Sequence, residues 1–222
     1  MSLKAETENS SSDFKQEDAG HGTDYEIKIR EGEEAFDWNQ LFGNSRPVEI
    51  EIGCGRGMFI IKRALENPQI NFLGIEKSAR FFRMLAERVK KSGAHNIRLL
   101  RTEAAYLMKK FVPANSVKAV HVYFPDPWPK KRHRKRRLLN GSFFESVARI
   151  LPPDGLFFFA TDFQDYFDEI VAMAPSCRRL TRESNEKLSS QDVDPDTAAT
   201  TYERKYLMQG RVIYRAVYKK IK

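Results

Sequence analysis

Short apolar runs alternate with amphipathic segments along most of this chain, and this alternation constrains its fold more than any other feature. Each run is rich in Val, Ile, Leu and Phe, as buried strands are. The predicted strands span residues 48–52, 70–75, 97–101, 117–124 and 155–161. The predicted helices span residues 58–65, 79–91, 104–111, 138–151 and 163–173. Strands that alternate with helices predict an α/β fold, with a doubly wound and mostly parallel sheet covered on both faces.

The two ends of the chain depart from this alternation. Residues 184–200 are polar and acidic and predict a loop. Residues 210–219 alternate apolar and basic side chains, which predicts a half-buried strand, antiparallel at that end of the sheet. Residues 1–40 hold eleven acidic and four basic residues, which predicts a flexible acidic leader. Residues 41–222 then form one domain.

The overall charge of the chain indicates a polyanionic partner such as nucleic acid. Lys and Arg number 38 against 30 Asp and Glu, a formal net charge of +8, and the residues after the leader carry +15. Cys54 and Cys177 show neither a metal-ligand spacing nor a disulfide framework. No apolar run is long enough to span a membrane. We therefore expect a cytoplasmic protein without a metal, and the sequence leaves open whether it is a monomer or a homodimer.

The loop after the first predicted strand is rich in glycine. Gly53, Gly55 and Gly57 follow a GxGxG spacing, and Glu51 lies two residues before them. A dinucleotide fingerprint would place a glycine where this chain has Met58, and an acid beside the loop disfavours a pyrophosphate. A nicotinamide oxidoreductase is therefore the disfavoured alternative, and we expect a cationic or amine-bearing ligand.

Two further acids follow the next two predicted strands. Glu76 lies where an acid commonly binds ribose hydroxyls, and Glu103 follows the third strand. Three carboxylates at successive strand ends predict a nucleoside pocket that takes no phosphate, which suits S-adenosylmethionine. An ordinary solvated strand end is the alternative for each glutamate. The residues expected to bind this cofactor are Glu51, Gly53, Gly55, Gly57, Glu76 and Glu103.

A proline-rich loop follows the fourth predicted strand. Three prolines within residues 124–129 restrict the backbone around Asp126, which places this acid rigidly beside the glycine loop. A structural turn in which Asp126 accepts local hydrogen bonds is the alternative. We expect Trp128 to brace this loop. His121 lies within the apolar strand before it, where a hydrogen-bonded core histidine is expected.

A basic run comes directly after the loop. Residues 130–137 hold seven formal cations in eight residues. Contact with nucleic-acid phosphates explains this density better than a localisation signal or plain solubility. His133 lies within the run, and we expect it to contact RNA.

Several of these motifs occur together in one known family. They are residues 51–57 (EIGCGRG), 124–133 (FPDPWPKKRH), 135–138 (KRRL), 161–162 (TD), 200–203 (TTYE), 210 (G) and 213–216 (IYRA). In these motifs the chain resembles the bacterial tRNA (guanine-N7-)-methyltransferases over about residues 46–219. The proline–tryptophan–basic motif is far more specific than the glycine loop.

The resemblance implies a Rossmann-like class I methyltransferase fold that uses S-adenosylmethionine. It implies methylation at N7 of the variable-loop guanosine of tRNA, at conventional position 46. It implies that Asp126 is the central catalytic acid and also a cofactor-binding residue, adjoining both cofactor and base. The residues implied to contact the substrate are Lys130, Asp162, Thr200, Thr201, Tyr202 and Glu203. The chain departs from the family at Glu103, where an aspartate is expected.

The residue types agree with this chemistry. Guanine N7 has a free lone pair, so no proton has to be removed before it attacks a sulfonium methyl group. The enzyme must align the reacting atoms, and a carboxylate such as Asp126 or Asp162 stabilises the positive charge that develops on the purine. Two alternatives remain open. The first is methylation of an exocyclic amino group, although enzymes of that kind resemble one another in an Asn/Asp-Pro-Pro-aromatic loop, whereas this chain has Pro-Asp-Pro-Trp. The second is a non-catalytic RNA-binding module.

Overall fold

A computed structural model of the chain describes residues 25–29, 35–189, 191–192, 194 and 198–222. Most of the predicted leader therefore lies outside the described residues, and its flexibility and the domain boundary stay predictions. Two described parts of it contact the domain. The backbone N–H of Leu99 donates to the carbonyl of Tyr25, and Ile27 donates to the carbonyl of Leu99. Phe36 is buried and stacks on Phe111.

One sheet organises the described chain. Its seven strands are β1 (Val48–Ile52), β2 (Asn71–Ile75), β3 (Ile97–Leu100), β4 (Ala119–Tyr123), β5 (Leu156–Thr161), β6 (Leu180–Leu188) and β7 (Ile213–Lys220). Their order across the sheet is β3-β2-β1-β4-β5-β7-β6. Strands β1 to β5 are parallel, and β7 runs antiparallel between β5 and β6. The predicted doubly wound, mostly parallel fold with an antiparallel strand near the C-terminus is confirmed.

Helices cover both faces of this sheet. They are α1 (Trp38–Phe42), α2 (Met58–Glu66), α3 (Ala79–Ser92), α4 (Ala104–Lys110), α5 (Gly141–Ile150), α6 (Gln164–Met173) and α7 (Thr201–Met208), with short 3₁₀ helices at Lys131–Arg136 and Ala174–Ser176. Helix α3 shows why the predicted helices form. Ser78 caps its first turn by accepting from the Phe81 N–H, and Gly93 ends it in the left-handed conformation. Phe82, Leu85 and Val89 bury one face at helical spacing.

The prediction of a loop over residues 184–200 is wrong for its first part. Residues 184–188 belong to β6, an edge strand that pairs with β7 only, with a bulge between Arg182 and Ser184. Most side chains of β6 are exposed. An edge strand of this kind is held by backbone hydrogen bonds, so it lacks the apolar pattern on which the prediction relied. Helix α7, which follows, was also not predicted.

No helix in the described part of the chain has the length and apolar character that crossing a membrane requires. Within the same residues, no cluster of three or more His, Cys, Asp or Glu side chains is arranged to hold a metal ion.

The buried side chain of Asn96 connects α2, β2 and β3, and it carries a prediction about stability. Its amide nitrogen donates to the backbone carbonyls of Ala64, Asn67 and Ile70, at 3.1, 3.2 and 2.7 Å. Asn96→Ala removes the side-chain donor of the Ala64 and Ile70 carbonyls, whereas the Asn67 carbonyl keeps the backbone N–H of Ile70. We expect the substitution to lower the free energy of unfolding by about 1–3 kcal/mol in urea titrations. The control is Asn185→Ala, at an exposed position of β6, with an expected change within about 0.5 kcal/mol. Equal effects of the two substitutions would contradict the prediction.

Candidate active site

Two adjoining cavities open where the parallel strands end. The larger has a volume of about 830 Å³ and is lined by the loops that follow β1, β2, β3 and β4. The smaller has a volume of about 270 Å³ and lies between the glycine loop and the start of α7. The direction of the chain across the sheet changes between β1 and β4, which is where open α/β sheets bind ligands. The larger volume falls within the range of small-molecule sites, roughly 300–1,000 Å³.

The structure brings most of the predicted site residues to these cavities. Those that line the larger cavity are Gly53, Gly55, Glu76, Glu103, Asp126 and Tyr202. Those that line the smaller cavity are Glu51, Gly53, Gly55, Thr200, Thr201 and Tyr202. Those that line neither are Gly57, Lys130, Asp162 and Glu203.

The glycine loop turns sharply between β1 and α2. The backbone N–H of Gly53 donates to the carbonyl of Ile75, which holds the loop over the end of β2. Gly57 lies in the left-handed region with φ 74°, and a Cβ atom there would come within 2.3 Å of Leu85 Cδ1. Because both the conformation and the space require glycine, Gly57 shapes the loop and does not need to touch a ligand.

Glu51 is the residue of this site with the most unusual environment. Its side chain is only 4% exposed, and its Oε2 atom has no hydrogen-bond partner among the described residues. Burial, reinforced by the charge of Glu76, raises the pKa of Glu51 to about 8. A buried carboxyl oxygen without a partner is costly unless a ligand pairs with it. This position therefore suits the positively charged group of a ligand.

The other two strand-end glutamates are less enclosed. Glu76 accepts hydrogen bonds from the backbone N–H groups of Gly55 and Ser78, at 2.9 and 2.7 Å, so it ties the glycine loop to the end of β2. Glu103 is 62% exposed and lies 3.8 Å from the Lys77 ammonium. Both line the larger cavity, where carboxylate oxygens can accept hydrogen bonds from a nucleoside.

Asp126 lies in a backbone segment of unusual conformation. Phe124 and Trp128, on either side of it, both have left-handed φ angles, 52° and 41°. Such angles are strained for large side chains and persist only where the surroundings hold them. The carbonyl of Pro127 accepts a 2.8 Å hydrogen bond from Arg137 Nε. No described residue donates a hydrogen bond to the exposed Asp126 carboxylate, which disfavours the alternative of a purely structural turn.

Arg137 fixes the proline-rich loop from the interior of the protein. It is buried, its guanidinium donates to Glu169 on α6, and it lies 4.5 Å from the centre of the Tyr166 ring. Trp128 contacts Arg136 and the edge of His133 from the outer side, which agrees with a bracing role. The sequence did not distinguish Arg137 from the other cations of the basic run.

The rest of the basic run lies at the surface. Residues 131–136 form a 3₁₀ helix, and all of its Lys and Arg side chains are exposed. Arg134 lies within 4.0 Å of Asp165 and Glu169, so part of its charge is balanced. Lys130 is also exposed, just before this helix. The exposed cations form a positive surface that starts four residues after Asp126.

The motif TTYE forms the start of α7. Thr200 caps the helix by accepting from the N–H of Glu203, and Glu203 accepts from the N–H of Ala199. Glu203 is buried and forms an ion pair with Arg215, whereas Thr201 and Tyr202 are exposed at the cavities. The spacing Thr-x-x-Glu is a capping-box signal, and the helix could have been predicted from it, although it was not.

Asp162 follows β5 beside this helix. Its Oδ2 atom accepts a 2.7 Å hydrogen bond from Arg211, and Arg211 also lies over the ring of Tyr206 on α7. Asp162 and Glu203 therefore already have partners within the protein.

Comparison with known proteins agrees with this geometry. A family model described as "Putative methyltransferase" matches residues 45–216. A tRNA (guanine-N(7)-)-methyltransferase of Streptococcus equi subsp. zooepidemicus is 38% identical over 178 residues, which span 80% of this chain and 83% of that protein. A protein of the same name from Geobacter metallireducens is 35% identical over 184 residues, 83% of this chain and 87% of that protein.

The solved structures agree on the fold. The 16S rRNA methyltransferase KamB is 16% identical to this chain, with a TM-score of 0.63 over 86% of this chain and 96% of KamB. The family model spans most of the sequence, and the two relatives are 35–38% identical to this chain over more than four fifths of their own length. This chain therefore belongs to the family of the tRNA (guanine-N(7)-)-methyltransferases.

Proposed function

We propose that this protein transfers a methyl group from S-adenosylmethionine to N7 of a guanosine in tRNA, the variable-loop guanosine at position 46, and that it acts in the cytoplasm. The position of Asp126 carries this proposal. Its loop lines the larger cavity and continues directly into the exposed basic helix. A single short segment thus joins a cofactor-sized cavity to a surface suited to RNA phosphates. The names of the relatives support the same reaction.

The residues at the cavities fit S-adenosylmethionine. When bound, this cofactor supplies an electrophilic methyl group on a positively charged sulfur. The unpartnered Oε2 atom of buried Glu51 suits the cofactor's ammonium group. The backbone of Gly53 and Gly55 leaves room for the amino-acid part, Glu76 suits the ribose hydroxyls, and Glu103 suits the adenine end.

Asp126 has the properties that the proposed reaction needs. Guanine N7 needs no general base, so the protein has to orient the base and stabilise its developing positive charge. The Asp126 carboxylate is exposed at the cavity and unpaired within the described chain, and its backbone is held by Arg137. We infer that Asp126 orients the guanine, while Lys130, Asp162 and residues 200–203 surround the substrate.

Transfer of labelled methyl groups to unmodified tRNA tests this function. We expect label in N7-methylguanosine after nucleoside mapping, with strand cleavage at the methylated site after borohydride treatment. Asp126→Ala is expected to lower turnover by roughly 10²–10³-fold, because orientation and charge stabilisation are both lost. Label in an exocyclic amino group instead would support the alternative target.

The control for this experiment is Asp168→Ala, an exposed acid on α6 for which we expect normal turnover. Calorimetry should show that Asp126→Ala still binds S-adenosylmethionine. Near-normal turnover of Asp126→Ala would refute the role assigned to this residue.

The pKa of Glu51 predicts proton release on cofactor binding. In the free protein this pKa is about 8, so the carboxyl group is mostly protonated at pH 7. Contact with an ammonium group favours the ionised carboxylate and lowers the pKa, so the proton leaves as the cofactor binds. Calorimetry at pH 7 in buffers of different ionisation enthalpy should find about one proton released per cofactor by the wild type. Glu51→Gln should release none, and equal release by both proteins would contradict this assignment.

The exposed cations predict a salt-dependent affinity for tRNA. Lys131→Ala combined with Arg132→Ala removes two exposed charges, and we expect the slope of log affinity against log salt concentration to become shallower by roughly 1.4–1.8. The control combines Lys90→Ala with Lys91→Ala. These two exposed cations lie in the last turn of α3, near the end of the sheet where the parallel strands begin, whereas the cavities lie where those strands end. The same change of slope in both proteins would show that the basic helix has no special role.

A further inference from the structure

A chain of buried polar side chains lies beneath the two cavities. Glu49 Oε2 is 3.0 Å from His121 Nε2, and His121 Nδ1 is 3.0 Å from the Tyr123 hydroxyl. Arg63 on α2 approaches the same oxygen of Glu49 at 3.7 Å. Glu49 and His121 are both buried, so the expectation of a hydrogen-bonded core histidine is confirmed. Tyr123 was not among the site residues predicted from the sequence.

The register of β1 and β4 brings these groups to one face of the sheet. Glu51 is the cross-strand partner of His121, and side chains two residues apart on a strand share a face. Glu49 and Glu51 on β1 therefore lie on the same face as His121 and Tyr123 on β4. The chain of hydrogen bonds runs towards the carboxyl ends of the strands and ends at Tyr123, which lines both cavities.

The protonation states of these groups set the direction of each hydrogen bond. Burial lowers the pKa of His121, so its ring is neutral at pH 7. Burial by itself raises the pKa of Glu49, but the hydrogen bond with His121 and the charge of Arg63 lower that pKa overall. An ionised carboxylate only accepts, so His121 Nε2–H donates to Glu49. His121 Nδ1 then has no proton and accepts from the Tyr123 hydroxyl.

The Tyr123 hydroxyl therefore donates its proton to His121, and its oxygen can still accept a hydrogen bond from a ligand. Burial raises the pKa of Tyr123, so the phenol keeps its proton at neutral pH. Two aromatic rings pack against the imidazole of His121 and keep it in place. The Phe59 ring lies with its centroid 4.8 Å from that of the imidazole, and the Phe158 ring stacks on the imidazole at the same centroid distance, 4.8 Å. An acceptor at this position suits a positively polarised part of a ligand.

We propose that Tyr123 is a further cofactor-binding residue whose oxygen contacts the sulfonium methyl group of S-adenosylmethionine, and that His121 and Glu49 are positioning residues that orient it. The inference rests on the proposed function. Tyr123 lines both cavities, and the sulfonium joins the adenosine part of the cofactor to its amino-acid part. Tyr123 also lies three residues before Asp126, on the strand that leads into the proposed catalytic loop.

Calorimetry with two ligands tests the proposal. S-adenosylhomocysteine lacks the methyl group and the sulfonium charge but keeps every other part of S-adenosylmethionine. Tyr123→Phe should weaken S-adenosylmethionine about two- to five-fold, the effect of one weak C–H···O contact, and leave S-adenosylhomocysteine unchanged. Equal effects on the two ligands, or none, would overturn the proposal. A wild-type protein that binds neither ligand would instead contradict the proposed function.

A second pair of variants tests the positioning residues. His121→Phe keeps an aromatic ring in the core but removes the acceptor of the Tyr123 hydroxyl. It should therefore lower the affinity for S-adenosylmethionine relative to that for S-adenosylhomocysteine, as Tyr123→Phe does. The double variant should add little, because both changes remove the same contact. The control is Tyr218→Phe, a buried tyrosine whose hydroxyl has no partner among the described residues, with an unchanged ratio. A lower melting temperature of His121→Phe with an unchanged ratio would show a structural role only.

Discussion

The parallel pairing of β1 with β2 on one side and with β4 on the other decides where the candidate site residues of this protein lie. Because the chain changes direction across the sheet at β1, the loops after β1 and β4 diverge and leave space at their carboxyl ends. Glu51, Glu76 and Asp126 come from three different strands, yet all reach the same pair of adjoining cavities. The family's chemistry depends on this geometry, since methyl transfer requires alignment more than acid or base catalysis.

Two buried glutamates on β1 show how pairing separates a carboxylate that the protein satisfies from one that suits a ligand. Glu49 and Glu51 are two residues apart, on the same face of the same strand, and both are buried. Glu49 is paired with His121 and approached by Arg63, so its pKa is lowered. Glu51 Oε2 has no partner in the described chain, and burial raises the pKa of Glu51 to about 8. The first is satisfied by the protein, and the second is suited to a cationic ligand.

The basic run divides in a similar way. Its exposed members form a surface beside the larger cavity, while Arg137 is turned inwards to hold the proline-rich loop. A buried guanidinium needs partners on several sides, and α6 supplies Glu169 and Tyr166. The cation density of the sequence therefore overstates the charge available to RNA, and part of it supports the loop that carries Asp126.

The sequence by itself determined the alternation of strands and helices along the chain, the glycine loop and the identity of the strand-end acids, because these depend on local periodicity and residue type. It did not reveal β6, whose edge position needs no apolar pattern, and the capping signal of α7 was present but not used. Only the tertiary structure decided which acid is unpartnered, which arginine is buried and which tyrosine ends the polar chain. Burial and pairing depend on residues far apart in sequence, such as Glu49 with His121 and Arg137 with Glu169, and no local pattern encodes their contact.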